Sequence, residues 1–128
     1  MSTLTVTNIK KTGETASRDA SGVAAVRVNF NGTGTVAIRD SVNVASLTDN
    51  GTGWFIVNLS NAFGAVDYSI SATATWKTGI TALTSTSIDG DPVGKPTTTQ
   101  FRTYSYVTAN QTTYDPEFVF ASAYGDLA

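Results

Sequence analysis

The amino-acid sequence predicts an all-β protein: an antiparallel β-sandwich or jelly-roll-like domain with an extended N-terminal arm. Apolar and polar residues alternate in several short segments, and the tetrapeptide Asn-Gly-Thr-Gly occurs twice between such segments. No segment keeps the 3.6-residue period of an amphipathic helix. The abundance of Thr and Ser and the scarcity of Lys, Glu and Leu also favour strands over helices. We therefore expect about seven or eight short strands joined by turns.

The clearest alternation runs from Val66 to Lys77, where every second residue is apolar. Such a segment is typical of an antiparallel strand with one face in the core and the other in solvent. Shorter patterns of the same kind predict strands at 4–9, 23–30, 35–38, 42–47, 54–59, 101–108 and 117–124, with a weaker one at 80–88. On the inward faces of these strands we expect the following side chains to be buried: Phe30, Val57, Leu59, Tyr68, Ile70 and Trp76.

Each copy of Asn-Gly-Thr-Gly, at 31–34 and at 50–53, lies between two predicted strands. Asn-Gly is a strong hairpin signal, because a type I′ turn needs positive φ at both central residues. Asn and Gly adopt that conformation most readily. We therefore predict two consecutive hairpins with type I′ turns at Asn31-Gly32 and Asn50-Gly51.

The N-terminal part of the chain differs from the rest in composition. Residues 10–21 are polar and hold almost no apolar side chain. A segment of this kind cannot build a core of its own. We expect residues 1–22 to form an arm that becomes ordered against a partner, and residues 23–128 to form the sandwich domain.

Composition excludes several classes of function. The chain has no His and no Cys, which removes the commonest general base and metal ligand and every Cys or Ser-His nucleophile. Its basic residues are scattered, and no apolar run approaches the roughly 18 residues of a membrane span. We expect no enzymatic activity, catalytic residue, metal or cofactor, and neither nucleic acid nor membrane as a partner. A paired-carboxylate site and a Ca²⁺ loop at Asp89-Gly90-Asp91 stay open as alternatives, although turn chemistry already favours Asp at such positions.

Two features predict contacts with other molecules. Charged residues make up 14% of the chain, against about 25% in typical domains, which hints that part of the surface faces other protein. The strand at 54–59 is apolar on both faces, because Trp54 and Ile56 lie opposite Phe55 and Val57. Either a loop covers the outer face of a central strand, or Trp54 and Ile56 form an oligomer contact.

Aromatic residues are also concentrated towards the C-terminal end. Such residues most often fill a core, and the spacing of Phe118 and Phe120 on one strand face favours that outcome. Sugar binding or protein contact is the alternative. The residues concerned are Phe101, Tyr104, Tyr106, Tyr114, Phe118, Phe120 and Tyr124.

The run FNGTGTVAIRD at 30–40, followed by TDNGTG at 48–53, is similar to a module of small virion proteins and tail fibres of tailed bacteriophages, many of them marine. The resemblance covers roughly residues 23–76. Modules of this kind often carry Trp where this chain has Arg27, and usually carry polar residues at the positions of Trp54 and Ile56. The resemblance implies a homotrimeric β-domain that projects from the particle.

A virion structural role follows from this resemblance as an expectation: a head fibre or capsid decoration protein, or a short tail-fibre component, made in the host cytoplasm. Its partners would be further copies of itself and other capsid or tail proteins. The candidate oligomer-interface residues are Trp54, Ile56 and Arg27, and the candidate virion-anchoring residues are Leu4, Val6 and Ile9. The alternative function is a carbohydrate-binding adhesin or receptor-binding module whose partner is a host-surface glycan.

Overall fold

The computed structural model describes residues 2–9, 12–13, 15, 18–19, 22–75, 84–87, 95–107 and 112–128; for 18–19, 84–87 and 107 it describes the backbone only. Within these ranges the chain forms strands and no helix. The strands are β1 (Asn8–Ile9), β2 (Arg18–Asp19), β3 (Val26–Asn31), β4 (Ala37–Val42), β5 (Val44–Asp49), β6 (Trp54–Leu59), β7 (Ser69–Ala74), β8 (Thr84–Ser87), β9 (Gln100–Val107), β10 (Thr112–Thr113) and β11 (Val119–Tyr124).

The strands form two antiparallel sheets packed against each other, which confirms the prediction of an all-β, sandwich-like domain. The first sheet has the order β4-β3-β11-β7. In the second sheet β6 lies between β5 and β9, and both β8 and β10 pair with β9. Within the N-terminal segment, β1 and β2 pair with each other as a separate two-stranded sheet.

The core lies between the inward faces of the two sheets, where alternating residues of each strand meet. Val26, Val28 and Phe30 of β3 are fully buried, as are Phe55 and Val57 of β6. The rings of Phe30 and Phe55 meet edge to face, with centroids 5.2 Å apart and an interplanar angle of 73°. This arrangement suits two aromatic quadrupoles and joins the sheets at the centre of the domain.

The predicted core is confirmed at its centre. Phe30 and Val57 are both fully buried, whereas Leu59, Tyr68 and Ile70 are only partly buried and pack against the margin of the core. For Ile70 and for Tyr68, which directly precedes β7, the reason is position, because β7 is an edge strand of the first sheet. Trp76 lies outside the described residues.

Both predicted hairpins form, but the predicted turn type is wrong. Within the described residues Asn43 is the only non-glycine residue with positive φ, so neither Asn31 nor Asn50 has the conformation that a type I′ turn requires. Asn31 instead ends β3 and pairs with Ala37. Its side-chain amide donates to the carbonyl oxygen of Thr33 (2.7 Å) and accepts from the Thr33 amide (3.2 Å), so it organises a five-residue loop.

The two glycine-containing loops serve different purposes. A Cβ on Gly32 would lie 2.8 Å from the Phe55 ring, so this glycine lets the first loop pack directly on the core. Gly53 has a φ of +74°, and a Cβ there would lie 2.5 Å from the carbonyl oxygen of Ser105. The second loop therefore needs a glycine both for its conformation and for its approach to β9.

The single predicted strand at 42–47 is wrong, because the chain changes sheets at Asn43. Asn43 has φ 58° and connects β4 of the first sheet to β5 of the second. Its side chain accepts a hydrogen bond from the backbone amide of Asn61 (2.7 Å) and donates to the carbonyl oxygen of Asn61 (3.1 Å). Asn adopts the left-handed region more readily than most residues, and these bonds hold it there.

Candidate functional site

The outer face of the second sheet carries a cluster of half-buried side chains, here called the Trp54 face: Trp54, Ile56, Arg102, Tyr104 and Tyr106. Register places Trp54 opposite Tyr104, and Ile56 opposite Arg102. The Trp54 and Tyr104 rings meet edge to face at 5.6 Å, and the Tyr104 and Tyr106 centroids are also 5.6 Å apart. The structure therefore brings two of the predicted interface residues into one aromatic cluster.

Polar residues beside this cluster connect β5 to β6. Asn58 of β6 donates hydrogen bonds to the Ser46 hydroxyl (3.1 Å) and the Thr48 hydroxyl (3.0 Å) of β5. These bonds tie the outer faces of the two strands together.

The Trp54 Nε1 atom is shielded from solvent and has no hydrogen-bond partner among the described residues. A shielded donor without a partner costs free energy in the single chain.

The third predicted interface residue lies elsewhere. Arg27 projects from β3 on the outer face of the first sheet, on the opposite side of the sandwich from Trp54. It forms an ion pair with Asp40 of β4 at 2.9 Å, with both side chains about 60% exposed. An exposed pair of this kind contributes little to stability. The structure thus separates Arg27 from Trp54 and Ile56.

Arg27 belongs to a second surface, here called the Phe120 face: Arg27, Asn29, Asp40, Phe120 and Ser122. Cross-strand register aligns these residues, because Asn29 pairs with both Asp40 and Phe120, and Arg27 pairs with Ser122. Together with neighbouring β7 residues they line a cleft of about 490 Å³. The Phe120 side chain is 41% exposed, and the Asn29 Oδ1 atom is shielded without a hydrogen-bond partner in the described parts of the chain.

The core-filling role predicted for Phe118 and Phe120 is wrong. Val119, Ala121 and Ala123 are the residues of β11 that face the core. The Phe118 and Phe120 rings stack on the outside with centroids 6.2 Å apart, and the Arg39 guanidinium lies 3.8 Å from the Phe118 centroid. Small inward residues allow β11 to sit at the centre of its sheet, and the large side chains are left on the outer face.

Sequence reasoning missed Asn29, Asp40 and Ser122 as candidate site residues. One signal was present, since the alternation of β3 already placed Arg27 and Asn29 on its polar face. The pairing of that face with Phe120 is a contact between residues about 90 positions apart in the sequence, and local patterns contain no information on such a pairing.

The candidate anchoring residues lie in the N-terminal segment and are exposed. Leu4 is 85% exposed, Val6 45% and Ile9 38%, and Ile9 is part of β1. Apolar side chains with this exposure are available for contact with a partner. No larger buried cluster includes them among the described residues.

A cleft of about 470 Å³ at one end of the sandwich brings Asp67 and Asp126 near Tyr68. Burial raises the pKa of Tyr68 to about 12. Its hydroxyl shares one proton between the carbonyl oxygens of Thr97 (2.8 Å) and Gln100 (3.2 Å), so this phenol connects the residue before β7 to the start of β9. The geometry gives Tyr68 a structural role.

The described residues contain no group of three acidic residues placed to hold a metal ion. Asp89-Gly90-Asp91, the candidate Ca²⁺ loop, lies outside them. None of the described residues forms a helix long and apolar enough to cross a membrane.

Comparison of the chain with protein-family models, with curated proteins and with solved structures finds no match. The two outer faces and the N-terminal segment are therefore the candidate contact surfaces of this chain.

Proposed function

We propose that this chain is a non-enzymatic structural protein of a bacteriophage virion that acts by oligomeric assembly on the particle. It would serve as a head fibre or capsid decoration protein, or as a short tail-fibre component. The observation that carries this proposal is the Trp54 face, an aromatic and apolar cluster on the outside of a sandwich of low charge. The resemblance of residues 23–76 to phage fibre modules supports the same role.

The Trp54 face has the composition of a protein interface. Trp, Tyr and Arg are enriched at interface centres, where they supply large contact areas with few rotatable bonds. A standard interface buries about 800 Å² on each partner, which is about a tenth of the 7742 Å² surface of this chain. Around a three-fold axis, Trp54 and Ile56 would each lose their remaining exposure.

The N-terminal segment supplies the second contact that the proposal needs. Leu4, Val6 and Ile9 are exposed within a segment that forms its own small sheet. We expect these side chains to become buried against a capsid or tail protein, while the sandwich domain projects outward. A trimer would hold three such segments, and this multivalency would strengthen attachment without any single strong site.

Oligomeric state tests the assembly step. Light scattering of the purified chain should give about three times the monomer mass of 13.4 kDa. Trp54→Asp should shift the mass to that of the monomer, because a charge cannot be buried in an apolar interface without a partner. Tyr124→Asp, which adds the same charge to the outer face of the other sheet, is the matched control and should remain a trimer.

A stable monomer at micromolar concentration would defeat the trimer proposal. If Trp54→Asp remains trimeric, the interface does not include the Trp54 face. Location on the particle needs a separate experiment, in which intact virions are labelled with an antibody to this chain and imaged in negative stain. Absence of label from capsid and tail alike would refute the virion role.

A further inference from the structure

We propose that the Phe120 face is a binding site for a neutral sugar, either a single ring or a disaccharide. This inference does not depend on the virion role and concerns the opposite outer face from the proposed trimer contact. Four observations support it: the aromatic platform, the polar array beside it, the unpaired oxygen atom of Asn29 and the balance of charge.

The first observation is the exposed aromatic platform. Phe120 keeps 41% of its surface exposed although it lies near the middle of the first sheet. Its ring is nearly parallel to that of Phe118, with an interplanar angle of 10°. The Arg39 guanidinium stacks on Phe118 and donates to the carbonyl oxygen of Glu117 (2.6 Å), which fixes the outer end of the stack. An apolar ring held in place in this way can pack against the C–H face of a pyranose.

The second observation is the array of donors and acceptors beside that ring. One row of the sheet, set by register, runs from Asp40 through Asn29 and Phe120 to Thr73. The next row contains Arg27 and Ser122. Carboxylate, amide, hydroxyl and guanidinium groups thus surround one aromatic ring, and each can hydrogen-bond a sugar hydroxyl. Pockets that fix small ligands combine an apolar surface with a few polar groups in this way.

The third observation is the unpaired Asn29 Oδ1 atom. It lies among the residues that line the cleft and has no hydrogen-bond partner within the described residues. An unsatisfied acceptor of this kind has a free-energy cost that a ligand hydroxyl would remove. Because this oxygen is shielded in the free protein, the Asn29 amide must rotate about χ2 before the oxygen can meet a ligand hydroxyl. The energy of an Asn side chain changes only gradually with χ2, so this rotation is accessible.

Charge and size select the ligand. Arg27 and Asp40 are the charged residues among those that line the cleft, and they neutralise each other in an ion pair. The face therefore offers no excess charge to an anion or a cation. The cleft of about 490 Å³ lies within the range of roughly 300–1,000 Å³ that small-molecule sites occupy. A protein domain needs a larger and flatter surface.

Saturation-transfer NMR on the full-length protein tests the proposal. The probes are glucose, galactose, mannose, N-acetylglucosamine, lactose and cellobiose, with N-acetylneuraminic acid as the charged comparison. Each is used at about 10 mM, which is enough to populate even a millimolar site. We expect saturation to reach the ring C–H protons of at least one neutral sugar, and weaker transfer to the acidic one.

Two variants locate the site. Phe120→Ala should weaken binding of that sugar at least ten-fold, whereas Leu127→Ala, which removes an apolar side chain of similar exposure (44%) elsewhere, should leave it unchanged. Asn29→Ala should also weaken binding by about ten-fold, because it removes the acceptor oxygen, and its thermal melting curve should show a folded protein. This second variant decides the question if Phe120→Ala fails to fold.

Three results would overturn the proposal. One is the absence of saturation transfer from every neutral sugar in the panel. Another is equal binding by the wild-type protein and both variants, since the sugar would then lie elsewhere. The third is dissociation of the oligomer by Phe120→Ala, because the face would then be a contact between copies of this chain.

Discussion

Replacing Thr103 by Val should stabilise this protein. Thr103 lies on the inward face of β9, opposite Phe55, and is 1% exposed. Its hydroxyl has no hydrogen-bond partner among the described residues. Burying a hydroxyl without a hydrogen bond costs about 1–3 kcal/mol in proteins, and Val has nearly the same shape with a methyl in place of the hydroxyl. We therefore expect the free energy of unfolding to rise by about 1–2 kcal/mol.

The assay is urea unfolding at fixed protein concentration, followed by fluorescence. The midpoint should rise while the slope is unchanged, and the melting temperature should rise by roughly 4 °C per kcal/mol. Thr103→Ser is the matched control, because it keeps the hydroxyl and removes the methyl, and it should lose about 1 kcal/mol. A loss of stability in Thr103→Val would refute the reasoning, since it would mean that the hydroxyl is hydrogen-bonded in the native protein.

Three further predictions follow from other parts of the structure. Gly53→Ala should lower the free energy of unfolding by about 2–4 kcal/mol, because the added Cβ would lie 2.5 Å from the Ser105 carbonyl oxygen at positive φ. Gly34→Ala is the control, since Gly34 has a φ of +61° but lies in open space, and its loss of stability in thermal unfolding should be smaller. Equal losses in the two variants would contradict the steric explanation. Burial raises the pKa of Tyr68 from 10.0 to about 12, so the folded state holds this proton more tightly than the unfolded state. The free energy of unfolding should therefore fall as pH rises from 10 to 12. Tyr68→Phe should reduce that fall, and an unchanged pH profile in the variant would exclude Tyr68 as its cause. Deletion of residues 1–22 should leave far-UV circular dichroism typical of strands while abolishing incorporation into particles, and normal incorporation would refute the anchoring role.

The sequence by itself was sufficient for the fold class and for the inward faces of individual strands. The alternation in β3 correctly placed Val26, Val28 and Phe30 in the core, with Arg27 and Asn29 outside. Alternation is informative there because successive side chains of a strand point to opposite faces, and one face of each sheet is covered by the other sheet. The two hairpins were predictable for a related reason, since Asn and Gly mark the points at which the chain must reverse.

The sequence was misleading wherever local preference competes with long-range packing. Asn-Gly predicted type I′ turns, but Gly32 is required because the loop packs on the Phe55 ring, which belongs to another strand. The positive φ that Asn supplies is used at Asn43, where the chain passes from one sheet to the other. Nothing in the neighbouring residues distinguishes a position within a strand from a link between sheets.

Only the tertiary structure decided which side chains share an outer face. It placed Trp54 beside Tyr104, and it placed Arg27 on the opposite side of the sandwich, beside Asp40 and Ser122. It also turned Phe120 outward, because β11 lies between two strands and its small residues face the core. Strand order and register bring together residues that are far apart in the chain, and the two-residue period of a single strand does not encode the identity of its neighbours.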